Sequence, residues 1–122
     1  MIQIAPNTRI LVAVEPIDFR KGIDGMVALC RQALNRNPFD STLFVFVSRS
    51  AQSLRCLTYD GQGFWLCQKR LSEGRFRGWP RASGTGAIQL APHQLYQLLW
   101  NGDPSRAQAA PLWRPVVPAD AA

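Results

Sequence analysis

Leu54-Arg55-Cys56-Leu57-Thr58-Tyr59-Asp60-Gly61-Gln62-Gly63-Phe64-Trp65-Leu66-Cys67-Gln68-Lys69-Arg70-Leu71 is the stretch that decides the fold of this 122-residue chain. Two apolar and aromatic runs, Leu54–Tyr59 and Phe64–Leu71, flank Asp60-Gly61-Gln62-Gly63. The glycines of that link supply the left-handed backbone positions of a tight hairpin. Immediately upstream, Thr42–Val47 is a continuous apolar run, read as a central strand covered on both faces. The three strands are expected to form an antiparallel meander.

Working outward, Arg9–Val14 reads as a short buried strand stopped by Glu15-Pro16. Ile23, Met26, Val27, Cys30, Ala33 and Leu34 recur at helical spacing, which predicts an amphipathic helix over Ile23–Asn35, closed by Asn37-Pro38. Beyond the hairpin, Arg81–Gly86 is a glycine-rich link to a strand-like Ala87–Leu90. Pro92 then opens a short helix carrying Leu95, Leu98 and Leu99 and ending at Asn101-Gly102. The expected fold is a single α+β domain over residues 1–102: an antiparallel β-meander with one amphipathic helix packed on the sheet and a short C-terminal helix. Residues 103–122, rich in Pro and Ala, are expected to be an extended or disordered tail.

An apolar share of 47% fits one globular core, and no run approaches the roughly 20 apolar residues of a membrane span. The start of the chain lacks a signal-peptide pattern, so a soluble, cytoplasmic protein is expected. Cys30, Cys56 and Cys67 are odd in number, widely spaced and set in apolar patterns, which points to reduced core thiols. No Cys-x-x-Cys pair exists and His93 is the single histidine, so no metal, cofactor or small-molecule substrate is expected.

Charge is concentrated. Between Arg49 and Arg81 lie seven of the fourteen basic residues against two acids, five of the six net positive charges. Aromatics are interleaved among them, a pattern that suits a phosphate-binding surface; a solvated basic face gives the same composition. Arginine outnumbers lysine twelve to two. Its planar fork suits phosphate, although coding bias toward Arg, Ala and Pro would produce the same ratio.

The candidate DNA-binding residues are Arg20, Lys21, Arg49, Arg55, Lys69, Arg70, Arg75 and Arg77. Lys21 could hold a phosphate together with the amides at the start of the first helix. Alternatively, Asp18 or Asp24 caps or favours that helix start and Arg20 pairs with a carboxylate. Strand alternation sends Lys69 and Arg70 to opposite faces, so at most one shares a face with Arg55. The exit loop Arg75-Phe76-Arg77 is therefore the expected phosphate clamp. Trp65 is expected in the core and Trp79 as a core anchor or a stacking platform. Asp60 could be read as a metal-binding nuclease aspartate, but the following strand offers Cys67 where a second acid is needed, so a turn-forming role is expected. No second histidine exists for a triad and no phosphate-binding Gly-x-x-x-x-Gly-Lys run occurs, so no catalytic residue is assigned.

Asp18-Phe19-Arg20-Lys21-Gly22-Ile23-Asp24-Gly25-Met26, Leu43-Phe44-Val45-Phe46, Asp60-Gly61-Gln62-Gly63-Phe64, Lys69-Arg70-Leu71, Gly74-Arg75-Phe76 and Trp79-Pro80 follow one another in an order and spacing that resemble the accessory TnpB family of insertion-sequence-sixty-six elements. The resemblance covers about Ile10 to Leu99. It implies a small non-enzymatic accessory protein of transposition, working beside a separate transposase. The family commonly continues the central strand with adjacent charged residues, whereas Arg49 is followed here by Ser50-Ala51-Gln52-Ser53. Two readings of function are carried: DNA binding through the basic hairpin and exit loop within a transposase assembly, or a protein adaptor that docks the transposase without touching DNA.

Overall fold

The computed structural model describes residues 4–81 and 86–108. Five strands form one sheet: β1 (Ile10–Ala13), β2 (Leu43–Val47), β3 (Ser53–Tyr59), β4 (Phe64–Arg70) and β5 (Ala87–Leu90). Helix α1 (Ile23–Gln32) lies between β1 and β2 in sequence, α2 (Pro92–Leu99) follows β5, and a 3-10 turn spans Pro104–Arg106. Across the sheet the strand order is β4-β3-β2-β1-β5.

The expected meander is present, with Phe44 facing Leu57 across β2 and β3 and Cys56 facing Cys67 across β3 and β4. The α+β class holds, while the sheet as a whole is mixed. Strand β1 runs parallel to β2, because the chain between them passes through α1 and a parallel pair needs such a crossover. Strand β5 closes the other side antiparallel to β1, with Leu11 facing Gln89.

Both faces of the sheet are covered. Leu11, Ala13, Phe44, Phe46 and Leu57 face α1 and bury Met26 and Cys30, which stand one turn apart on that helix. Ile10, Val12, Val45, Leu54 and Cys56 form the other face with Leu95 and Leu98 of α2. Every residue of β1 and β2 is buried, as a strand covered on both faces requires.

Helix α1 stops at Gln32, before the expected Asn35. Asn35 takes φ 52°, and the Arg36 N–H returns to the Cys30 carbonyl at 2.9 Å, a C-terminal cap that asparagine tolerates well. Pro92 opens α2 as expected, and Asn101 at φ 62° turns the chain out of it. The first residues of the Pro/Ala segment form the 3-10 turn, with Asp103 accepting the Ser105 N–H at 2.9 Å. Residues 109–122, and with them most of the expected tail, lie outside the described residues.

Asp60 organises the hairpin. Its carboxylate accepts the Gln62 and Gly63 N–H groups at 2.8 and 2.9 Å and the Trp65 indole N–H at 2.7 Å. Gly61 alone of the turn glycines has a left-handed φ, +96°. Those bonds, the Gln62 N–H first, hold the carboxyl below its ordinary value of 3.8. Because the folded-state value is the lower one, this contribution is complete above the unfolded value and is lost as pH falls through the folded one. The Trp65 indole N–H resonance should therefore follow the Asp60 titration, with a midpoint below 3.8.

The exit loop from β4 crosses the α2 face. Phe76 is 4% exposed and its N–H bonds to the Ala51 carbonyl at 2.7 Å. Asn101 grips the loop on either side of it, donating to the Arg75 carbonyl and accepting the Arg77 N–H, each at 3.0 Å. Gly78 rests against the Gly102 carbonyl, an approach that any Cβ would block. Of the two roles open to Trp79, the structure shows the core anchor: the ring packs against the α2-side core and its indole N–H bonds to the Ala13 carbonyl at 2.9 Å. Trp65 is not in the core. It is 57% exposed, because it lies on the α2 side of the edge strand near the hairpin tip.

Cys30 and Cys56 are buried, and burial pushes both thiols up to about 12, so only about 1 in 10,000 is thiolate at pH 8. Cys67 is half-buried. A thiol reagent at pH 8 should modify Cys67 at least tenfold faster than the other two, a difference read by mass spectrometry of the native protein.

A candidate nucleic-acid interface

The register of β3 and β4 sorts the basic residues. Phe46 faces Arg55, Arg55 faces Gln68, and Ser53 faces Arg70, so Arg55 and Arg70 share the α1 side of the sheet. Lys69 faces Leu54 on the α2 side. There its ammonium bonds to the Leu99 carbonyl at 2.5 Å and sits 5.0 Å from the Trp100 ring centre, closing the C-terminal end of α2.

A loop brings Arg20 to Arg55 and Arg70. The Ile17 N–H bonds to the Val47 carbonyl at 3.0 Å, tying the segment before α1 to the end of β2. Arg55 holds the other end. Its guanidinium donates to the Lys21 carbonyl at 2.8 Å and to the Gln68 side chain at 2.7 Å, with the Phe19 ring 4.4 Å away. Arg55 is thus both the wall of a groove and the bolt that places its rim.

The resulting open groove, about 370 Å³, is lined by Arg20, Arg55 and Arg70 with Ser48, Ser50, Ser53, Gln52 and Gln68. Its single carboxylate is Asp18, already engaged: Arg20 donates to it through Nε at 3.0 Å and through a terminal nitrogen at 2.7 Å. That side-chain hydrogen bond is the largest cause holding Asp18 far below the usual carboxylate range. The Arg20 N–H bond and the charges of Arg20 and Arg49 act in the same direction. Asp18 therefore pairs with Arg20 and does not cap α1, whose N-cap is Gly22 with no side-chain partner. Lys21 is exposed just before that helix start.

Arg49 is exposed in the β2–β3 turn between the groove serines. The same turn carries the exit loop on its other side, since the Gln52 carbonyl accepts the Leu71 N–H and the Ala51 carbonyl accepts the Phe76 N–H. With Phe76 buried between them, Arg75 and Arg77 are held outward. Arg77 lines a separate cavity of about 420 Å³ with Arg81 and the β5 strand.

Of the eight residues singled out from the sequence, Arg20, Arg55 and Arg70 share one groove, with Lys21 and Arg49 at its border. Arg75 and Arg77 form a neighbouring cationic loop, and Lys69 belongs to the opposite face. The neutral groove groups escaped sequence reasoning. The signal for them was available in strand alternation, which sets Ser53 with Arg55 and Gln68 with Arg70 on one face. The Ser50–Ser53 turn, less charged than the family pattern, lines the groove with hydroxyl and amide groups instead of charges. Serine and glutamine side chains are common phosphate and sugar ligands, and arginine forks supply the charge.

Among the described residues no helix is long and apolar enough to cross a membrane. No solved structure matches the chain. Two proteins of Sinorhizobium fredii (strain NBRC 101917 / NGR234) are similar over nearly their whole length: the uncharacterized protein y4hO, 40% identical over 94% of this chain and 96% of its own, and the uncharacterized protein y4jC, 36% identical over 94% and 97%. Residues 8–109 match the family described as IS66 Orf2 like protein. The match takes in the groove, the hairpin, the exit loop and α2, and the chain belongs to this IS66 Orf2-like TnpB family, whose members have an accessory role in insertion-sequence transposition.

Proposed function

We propose that the chain is a non-enzymatic accessory factor that binds DNA through backbone phosphates, working with the transposase of its element. The observation that carries this reading is the groove on the α1 side. Three arginines converge there among serine and glutamine groups, and its one carboxylate is already neutralised by Arg20. Arg49, Arg75 and Arg77 extend the positive surface around the β2–β3 turn. Such a surface positions a nucleic-acid backbone without reading bases. Among the described residues no three His, Cys, Asp or Glu side chains gather as metal ligands, and Asp60 is committed to its turn. A role without hydrolytic chemistry is consistent with both.

A mobility-shift titration with element-end duplex, random duplex and single-stranded DNA at two salt concentrations tests the reading. Binding to both duplexes with similar affinity is expected, with a slope of log affinity against log salt of roughly −4 for four to five phosphate contacts. The same mixtures with magnesium should contain no cleaved product. The second reading, an adaptor that docks the transposase without DNA contact, is favoured by one observation: Trp100, at the end of α2, is 82% exposed beside an apolar cavity. Absence of DNA binding, with salt-insensitive capture of the transposase, would establish the adaptor in place of the DNA-binding reading.

A further inference from the structure

Strand β4 is an open edge. It ends the strand order, runs for seven residues, and contains neither proline nor a bulge, two of the devices that keep an edge unpaired; its charges, Lys69 and Arg70, stand together at the C-terminal end of the strand. The opposite edge, β5, is only four residues long. Two hydrogen bonds fix which groups β4 presents outward. Asp60 N–H to the Gly63 carbonyl and Leu71 N–H to the Gln52 carbonyl bracket the hairpin, so by alternation Trp65, Cys67 and Lys69 bond inward to β3. Phe64, Leu66, Gln68 and Arg70 turn their N–H and C=O groups away from the sheet, and these find no partner among the described residues.

The α2 side of this edge carries Trp65, Cys67 and Lys69; α2 meets it at Lys69 and leaves it open toward the hairpin tip. A cavity of about 320 Å³ opens between α2 and the hairpin, lined by Leu54, Cys56, Cys67, Lys69, Tyr96 and Trp100. Trp65, next along the strand beyond Cys67, is 57% exposed.

We propose that β4 pairs antiparallel with β4 of a second copy of this chain, joining two five-stranded sheets through a two-fold axis at Cys67. The argument for a second copy is that the strand is complementary to itself in one register. With Cys67 opposite the partner's Cys67, the outward-bonding residues pair Leu66 with the partner's Gln68 and Phe64 with the partner's Arg70. On the other face Trp65 stands opposite the partner's Lys69. Each cation of the strand meets an aromatic ring and no like charges face each other, which matters for a chain of net charge +6. Shifting the register by two residues sets Lys69 against the partner's Cys67 and removes both aromatic partners. Shifting by four sets Lys69 against the partner's Lys69. In the favoured register the partner's Trp65 falls beside Lys69, at the mouth of the cavity that Trp100 borders, so each copy contributes a residue to the other's pocket. The two-fold also places both arginine grooves on the same side of the joined sheet.

Sedimentation equilibrium of the DNA-free protein, together with its Trp65→Lys and Trp65→Glu variants, tests the register as well as the contact. The parent chain should sediment as a dimer of 13.6 kDa subunits. Trp65→Lys, which sets lysine against the partner's Lys69, should weaken the dimer at least tenfold. Trp65→Glu, which sets a carboxylate there, should dimerise at least tenfold more tightly than Trp65→Lys. Residue 65 is 57% exposed, so both variants should keep the parent's far-ultraviolet circular dichroism, which reports the backbone. A parent that stays monomeric up to about 100 μM would overturn the proposal and leave the edge to a strand of another protein. So would a dimer that the two variants weaken equally or not at all.

Discussion

Phe76→Ala should destabilise the protein by about 3 to 5 kcal/mol, the range for removing a buried aromatic side chain. The phenyl ring is 4% exposed in the α2-side core, with the Trp79 ring centre 6.2 Å away. It lies in a loop, yet it is buried in the α2-side core together with side chains of the strands and of α2. A domain of this length has a total stability on the order of 6 to 18 kcal/mol, so the substitution removes a large fraction of it. Urea titration should show a lower midpoint with an unchanged slope if the native fold persists. The neighbours Arg75 and Arg77 are both exposed, and Ala at either should move the midpoint little. A loss below about 1 kcal/mol for Phe76→Ala would mean that the loop does not hold its place through this ring.

Local chemistry made part of this molecule readable from the sequence. The hairpin was legible because its information lies within a few residues: Asp60 and Gly61 close the turn, and alternation then places Arg70 with Arg55 and sends Lys69 away. The parallel placement of β1 beside β2 was not, since it depends on how α1 carries the chain across the sheet. The pairing of β5 with β1 likewise joins segments more than seventy residues apart. Burial in an edge strand was the least legible property. Trp65 sits in a run that reads as core, but α2 does not extend over the hairpin tip, so the indole is left in solvent.

The groove shows the same division. Its charges could be counted in advance, but the convergence of Arg20 on Arg55 and Arg70 could not, because it rests on Arg55 bonding a carbonyl thirty-four residues away. That bond also separates two kinds of arginine. Arg55 is built into the fold, and its removal would release the loop that carries Arg20. Arg49 and Arg70 are exposed and make no hydrogen bond or ion pair among the described residues. They can therefore be removed to test binding without disturbing the groove.

Replacing Arg49 and Arg70 together by Ala should flatten the salt dependence of DNA binding by about two units, because each phosphate contact contributes about 0.9 to the slope. For four contacts, raising salt from 50 to 200 mM weakens binding about 150-fold, whereas for two contacts the loss is about 12-fold. Affinity at low salt should fall for element-end and random duplex alike, since contacts to phosphate carry no sequence information. An unchanged far-ultraviolet circular dichroism of the double variant separates lost binding from lost structure, and its sedimentation beside the parent separates it from lost self-association, since Arg70 faces the partner's Phe64 in the proposed dimer. Arg75→Ala with Arg77→Ala provides the comparison. An equal flattening there would mean that the DNA path runs from the groove around the β2–β3 turn onto the exit loop. An unaltered slope would confine the contact to the groove. A folded Arg49/Arg70 variant that binds as tightly as the parent at both salt concentrations would remove the groove from the interface, and with it the observation on which the DNA-binding reading stands.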